Sequence, residues 1–341
     1  MTDTTAMQKI IFVVGNSRSG TTMLGRVLGC SSDVLTFNEL HFFEQMWTPS
    51  MPAGEISLEK AVHFTTRLLG IQREGYYAQV EPHKYRREAE ALVSAQPGKL
   101  TAPQVFAAFL DYEAKRRGKT VACDQTPRNL FYIRELLAYY PNAYIVHIVR
   151  DPRDVLLSQK NRWLRRSYAQ KKFPMRESVR YWVNYHPISI SLLWESGIKA
   201  WERRKGLARV YSIRFEDLIE DPEKIIRAIC QFLELEYSPA MLEVPQVGSS
   251  HGADRPERFG INKDIAGRWQ RASRSETVDL VICQKITAKR MLEFGYPLAK
   301  FRFNPFYYLW VLMLWPVKAL MAILVNLDKS RNIFAFIRRR L

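Results

Sequence analysis

Apolar positions gather in five short runs along the chain, near 9–15, 34–37, 119–123, 143–149 and 208–214. Runs such as Ile10-Ile11-Phe12-Val13-Val14 are β-branched and nearly continuous, which suits strands covered on both faces. The stretches between them carry helical spacing, so strands and helices alternate in the βαβ manner of a parallel α/β sheet. Ligands of such a sheet belong at the carboxyl ends of its strands. A different pattern closes the chain. From Asn304 to Leu327, 19 of 24 residues are apolar, long enough to span a bilayer, and the aromatic ones crowd the first half. Pro316 and Lys318 interrupt this run and are expected to split it into two short halves. The chain divides accordingly into a unit over 1–299 and an apolar, basic appendage over 300–341.

The first apolar run breaks into Gly15-Asn16-Ser17-Arg18-Ser19-Gly20-Thr21-Thr22 and then reads as a helix. Two glycines let the backbone turn so that successive N–H groups face one anion, and the helix start adds its positive end. The glycine spacing is that of a P-loop, but Thr21 stands where nucleoside triphosphatases carry lysine, and the cation, Arg18, lies inside the loop. A second strand-to-helix junction follows Val149. Arg150 ends that strand and Ser158 comes eight residues later, so a guanidinium and a hydroxyl can converge on another phosphate. Arg153 is expected to pair with neighbouring Asp151 or Asp154. Two anion sites at one sheet edge suit a nucleotide with phosphates at both ends.

These motifs resemble those of the sulfotransferase superfamily, which uses 3′-phosphoadenosine-5′-phosphosulfate (PAPS) as donor. The loop around Arg18 is similar to the 5′-phosphosulfate loop in its RSGTT form, found in tyrosylprotein and carbohydrate sulfotransferases, and IVRDPRDVLLS resembles the 3′-phosphate motif. DQTPRN at 124–129, the segment 211–233 and Gly267-Arg268-Trp269 extend the resemblance over most of residues 8–297. It implies a P-loop-like parallel sheet and sulfuryl transfer by in-line displacement without a metal. It also implies a donor site of Ser17, Arg18, Ser19, Gly20, Thr21 and Thr22 at the 5′ end and Arg150 and Ser158 at the 3′ end. Lys263 and Arg268 join the 3′ end, and Phe215 stands where many relatives place a tyrosine against adenine, although a core position suits it equally in Tyr211-Ser212-Ile213-Arg214-Phe215. Arg18 is the residue expected to stabilise the leaving oxygen. The Lys-Thr-His segment of the cytosolic enzymes is absent, with Gln125-Thr126-Pro127 in its place. The tyrosylprotein enzymes use a glutamate after the second strand, and Glu39, 21 residues beyond Arg18, matches it. Glu39 is thus the candidate base, with a pKa expected to be raised by burial against Phe37, Leu40 and Phe42, and His41 is the alternative. Glu39 also suits a helix-start acid, and His41 a packed polar residue. Residues 44–118 are expected to form the acceptor pocket.

The composition bounds this reading. The chain has 341 residues, 47% hydrophobic, a formal charge of +17 and four widely spaced cysteines. That charge calls for an anionic partner. Arg162, Arg165, Arg166, Lys171, Lys172 and Arg176, with Trp163, Tyr168 and Phe173 among them, could make a nucleic-acid face. No helix-turn-helix, RRM or KH pattern accompanies them, so an anionic donor is the simpler partner and nucleic acid is not expected. The cysteines favour a reducing compartment, and a strand beginning at Lys9 leaves no room for a signal peptide, so a cytoplasmic location is expected. Residues 300–341 hold eight Lys or Arg against one Asp, a net of +7. This suits an anionic leaflet, with in-plane or re-entrant attachment preferred and a true span or a buried, dimer-forming helix as alternatives. The expected acceptor is lipid-linked, a glycolipid or a carbohydrate. A P-loop kinase and a non-catalytic membrane scaffold with this fold are the rival readings.

Overall fold

Each of the five apolar runs forms a strand. The computed structural model describes residues 9–48, 51, 54–78, 81, 83–164, 167–168, 171–172, 174–246, 255–327 and 337–338. The first half contains β1 (Lys9–Gly15), α1 (Thr21–Gly29), β2 (Val34–Phe37), α2 (Leu58–Glu74), α3 (Arg86–Ser94), α4 (Ala102–Arg116), β3 (Val121–Asp124), α5 (Ile133–Tyr139), β4 (Ala143–Val149) and α6 (Pro152–Lys160). There follow the two-residue strands β5 (Ser167–Tyr168) and β6 (Lys171–Lys172), then α7 (Met175–Asn184), α8 (Pro187–Glu202), β7 (Val210–Arg214), α9 (Phe215–Glu220) and α10 (Pro222–Leu233). A small ribbon of β8 (Pro245–Gln246) and β9 (Arg255–Phe259) precedes α11 (Thr277–Glu293) and α12 (Pro305–Leu324).

The main sheet has the order β2-β3-β1-β4-β7, and all its pairings are parallel. In β1 the strand period of two sends Ile10, Phe12 and Val14 into one core with α2 and α4, and Ile11 and Val13 into another with α1 and α10. Both faces are covered, which explains the absence of polar alternation. β1 lies between β3 and β4, so the loops after these strands open at one edge, where chain direction across the sheet reverses. The approach is close. A Cβ on Gly15 would sit 2.4 Å from the Ile148 carbonyl oxygen, so only glycine lets β1 end there.

The C-terminal run corrects one expectation. Pro316 does not divide it, and α12 runs unbroken from Pro305 to Leu324. Proline removes one backbone donor and crowds the preceding turn, yet the helix is held on both sides of it. Val311 packs with Val278 and Ile282 of α11 and its carbonyl accepts from His186, while Lys318 Nζ donates to the Trp182 carbonyl at 3.0 Å. The segment set apart as an appendage therefore lies against α7, α8 and α11. Of the basic cluster after α6, Arg165, Arg166 and Phe173 and the side chains of Tyr168, Lys171 and Lys172 lie outside the described residues, as do Arg339 and Arg340.

Candidate functional site

The loop after β1 is built to receive an anion. Gly20 caps α1 in the left-handed region (φ 102), no side chain caps the helix, and its first turn has no acidic residue. Its leading N–H groups are thus left for an outside acceptor. Ser19 is fully buried and its Oγ has no hydrogen-bond partner among the described residues. A buried orphan hydroxyl costs about 1–3 kcal/mol, which an anion in the loop would recover. Thr21 is buried beside it, while Ser17 and Thr22 are half-buried. Arg18 also has a positive φ of 78, uncommon for a residue with a Cβ, and its Nε donates to Ser158 Oγ at 3.0 Å. The two motifs, 140 residues apart in sequence, are therefore in direct contact.

The loop after β4 supplies a second basic centre. Arg150 donates to the Arg18 carbonyl at 3.2 Å and to the Ile265 carbonyl, and its guanidinium lies 3.5 Å from Asp154. Asp154 in turn accepts from the N–H groups of Gly267 (2.8 Å) and Trp269 (3.0 Å), which brings Arg268 to this centre. Burial lowers the basicity of Arg268, and the charge of Arg150 lowers it further. An anion beside both guanidiniums would relieve the effect of Arg150 on Arg268. Arg153 pairs with Asp151 in a buried fork, at 3.0 and 2.6 Å, and stacks on Trp269, as its neighbours predict. Lys263 is exposed, and what reaches Arg150 from its loop is the Ile265 backbone carbonyl.

Of the two readings of Phe215, the structure takes the core position. Its ring is 1% exposed, with the Arg150 guanidinium 4.3 Å over its face, and a Cβ on Gly20 would meet it at 2.5 Å. An aromatic at the start of α9 is drawn into the second core, so it offers no free face to adenine and instead supports the loop and Arg150.

Glu39 and His41 follow β2 at the same sheet edge. His41 Nε2 is 3.3 Å from Glu39, its Nδ1 is 3.8 Å from Glu44, and Glu44 is bound by Arg128. Burial would raise the Glu39 carboxyl, but the hydrogen bond and charge of His41, with Arg162 and Arg18 further off, hold it below the usual value. The upward shift expected from burial is reversed, because the packing of Phe37, Leu40 and Phe42 says nothing of the cation two residues on. Burial would likewise lower His41, but Glu39 and Glu44 outweigh it and raise it to about 9. At neutral pH Glu39 has the free lone pairs and His41 carries the proton.

Sequence reasoning missed what holds this pair. Thr126 Oγ1 accepts from the Leu40 N–H at 2.9 Å and donates to Asp124 at 2.6 Å. Asp124 also accepts from Asn129, and burial raises its pKa to about 6. DQTPRN thus clamps the loop bearing Glu39 and His41, while Gln125 turns against α1 at Gly25. The signal was the motif itself, a run of hydrogen-bonding side chains at the end of a buried strand.

A cavity of about 160 Å³ opens between these parts, with Ser17 at one side and Glu39 and His41 at another. Among the described residues of 44–118, Glu44, Gln45, Tyr76 and Tyr77 line it, and Arg128, Arg162, Glu177, Arg180, Tyr181 and Asn326 come from elsewhere. The acceptor wall expected from one segment is thus composite. Arg162 stacks on Tyr181 at 3.8 Å and donates to its hydroxyl. Paired charges, phenols and amides around a small space suit a polar, many-hydroxyl group.

The sulfotransferase family model matches residues 11–239, and the chain belongs to this family. It is similar to an uncharacterised protein of Aquifex aeolicus, 25% identical over 81% of this chain and 32% of that one. It is also similar to "Sulfotransferase 2A6" of Rattus norvegicus, 26% identical over 39% of this chain and 45% of the relative. The chain thus spans less than half the length of these two curated relatives. Among solved structures, the sulfotransferase domain from the curacin biosynthetic pathway aligns with 86% of this chain and 100% of its own, at 18% identity and a TM-score of 0.49.

Proposed function

We propose that this protein transfers a sulfuryl group from PAPS to a hydroxyl or amine of a lipid-linked, glycolipid or carbohydrate acceptor at a membrane. The observation that carries the reading is the shared cavity, in which the phosphate loop at Ser17 and the carboxylate of Glu39 face one space. PAPS supplies an activated sulfuryl group on a bridging phosphate oxygen. The loop N–H groups, Ser19, Thr21 and Thr22 hold the 5′-phosphate, and Arg150, Arg268 and Ser158 hold the 3′-phosphate. Glu39 takes the acceptor's proton as its oxygen bonds to sulfur, and Arg18 holds the charge left on the bridging oxygen as the old bond breaks. His41, already protonated, keeps Glu39 ionised and oriented rather than acting as the base. Alignment and fixed charge are the protein's main contributions.

The test is mass spectrometry of membrane extracts incubated with the protein and isotopically labelled PAPS, beside Glu39→Gln. A labelled product is expected, with turnover falling about 10²–10⁴-fold in the variant and affinity for adenosine 3′,5′-bisphosphate nearly unchanged. A mild effect of Glu39→Gln would remove Glu39 from the base's role. Stabilisation by Mg-ATP equal to that by the bisphosphate would favour a kinase.

A further inference from the structure

α12 is long and apolar enough to cross a bilayer by length and composition, yet the structure gives it an inner and an outer face along its whole length. Val311, Trp315, Lys318, Ala322 and Asn326 recur at helical spacing and face the protein. The Val311 carbonyl accepts from His186, Trp315 donates to Ser189 at 3.1 Å, Lys318 lies over the Trp182 ring and Asn326 donates to Asn184 at 2.8 Å. The opposite stripe, with Phe306, Leu309, Met313, Val317, Leu320 and Leu324, is more than half exposed at every position. A helix fastened sideways at four places cannot cross a bilayer without taking polar groups of α7 and α8 into hydrocarbon.

α7 divides in the same way. Glu177, Arg180, Tyr181 and Asn184 line the cavity, whereas Met175, Val179 and Trp182, on the other side of the helix, are 83%, 54% and 47% exposed. The two helices meet where Lys318, from the inner side of α12, lies over the Trp182 ring, and each carries exposed apolar residues beside that contact, Val179 on α7 and Val317 on α12. No Asp or Glu occurs from Lys300 to Leu327, while Lys300, Arg302 and Arg176 are exposed around the patch. A second copy of this face would set cation against cation, but an anionic leaflet complements it.

We infer that α12 lies in the membrane plane and that α7 is a second lipid-contacting helix, forming the partition between the bilayer and the acceptor cavity. Resting on the function proposed above, this assigns the acceptor to molecules that keep an apolar tail in the leaflet while a polar head passes behind α7. The test is flotation of the full chain with phosphatidylcholine vesicles, with and without phosphatidylglycerol, beside Met175→Glu and Val179→Glu. Tighter binding to the anionic vesicles is expected, and each substitution should weaken it about tenfold while melting temperature stays unchanged, since both sites are exposed. If α12 crossed the bilayer alone, the α7 substitutions would leave flotation unchanged, and the inference would fall. It would fall equally if Leu320→Glu turned a dimer into a monomer by sedimentation and no variant altered flotation. Stabilisation by adenosine 3′,5′-bisphosphate, measured on the same samples, reports separately on the proposed function: its absence would sink that reading and leave the vesicle result standing.

Discussion

Glu39 and His41 titrate as a pair, and their opposite shifts set the pH behaviour of the site. The folded pKa of Glu39 lies below its ordinary value, so its contribution to stability is present above that value and is lost as pH falls through the depressed one. His41 is raised from 6.5 to about 9, so its contribution is complete below 6.5 and is lost as pH rises through about 9. Turnover that depends on ionised Glu39 should therefore persist to mildly acidic pH. Replacing the cation by His41→Gln leaves burial as the main influence on Glu39, so the acid limb of the kcat profile should move upward. A profile that does not move would mean that His41 does not tune the base. At the other end of the site, Arg150→Ala should weaken binding of adenosine 3′,5′-bisphosphate at least about tenfold, because a charge-assisted contact contributes roughly 1.5–3 kcal/mol. The 5′-monophosphate, measured by the same titration, should be far less affected.

The elements explain which of these features could be read in advance. β1 and β4 were legible because continuous burial leaves an unbroken apolar run, and the loops after them were legible because phosphate binding demands glycines and cations at fixed spacing. Glu39 was picked out by its place after β2, but its charge state was not, since the cations that set it include His41 and the distant Arg162. A large share of the cavity wall, including Glu177, Arg180, Tyr181 and Asn184 of α7, comes from α7, α8 and the loops before them, which no local pattern ties to β2. Pro316 misled because the contacts that hold α12 straight belong to other helices. Two substitutions probe these junctions. Gly20→Ala places a Cβ 2.5 Å from the Phe215 ring at a φ of 102, so the loop must shift and bisphosphate stabilisation in a melting assay should largely vanish. Thr126→Val leaves the Leu40 N–H and Asp124 without their shared hydroxyl, costing about 1–3 kcal/mol and lowering kcat more than donor affinity.

At the scale of the whole molecule, the function proposed above separates donor and acceptor candidates along the sheet edge, with the C-terminal helix on the acceptor side. Every donor candidate precedes Ala299, so nucleotide binding does not call on α12. The cavity does call on the C-terminal segment, through Asn326 just past the helix, and the cluster of Val278, Ile282 and Val311 needs α12 to close it. Truncation after Ala299 should therefore lower the melting temperature, because Val278 and Ile282 become exposed and His186 loses the Val311 carbonyl. The milder Asn326→Ala keeps the helix docked through Val311, Trp315 and Lys318 and removes only its cavity group. That variant should raise the acceptor KM while leaving bisphosphate affinity, measured by titration calorimetry, unchanged. A parallel loss of both would mean that α12 supports the sheet edge as a whole, and the division between donor and acceptor sides would have to be abandoned.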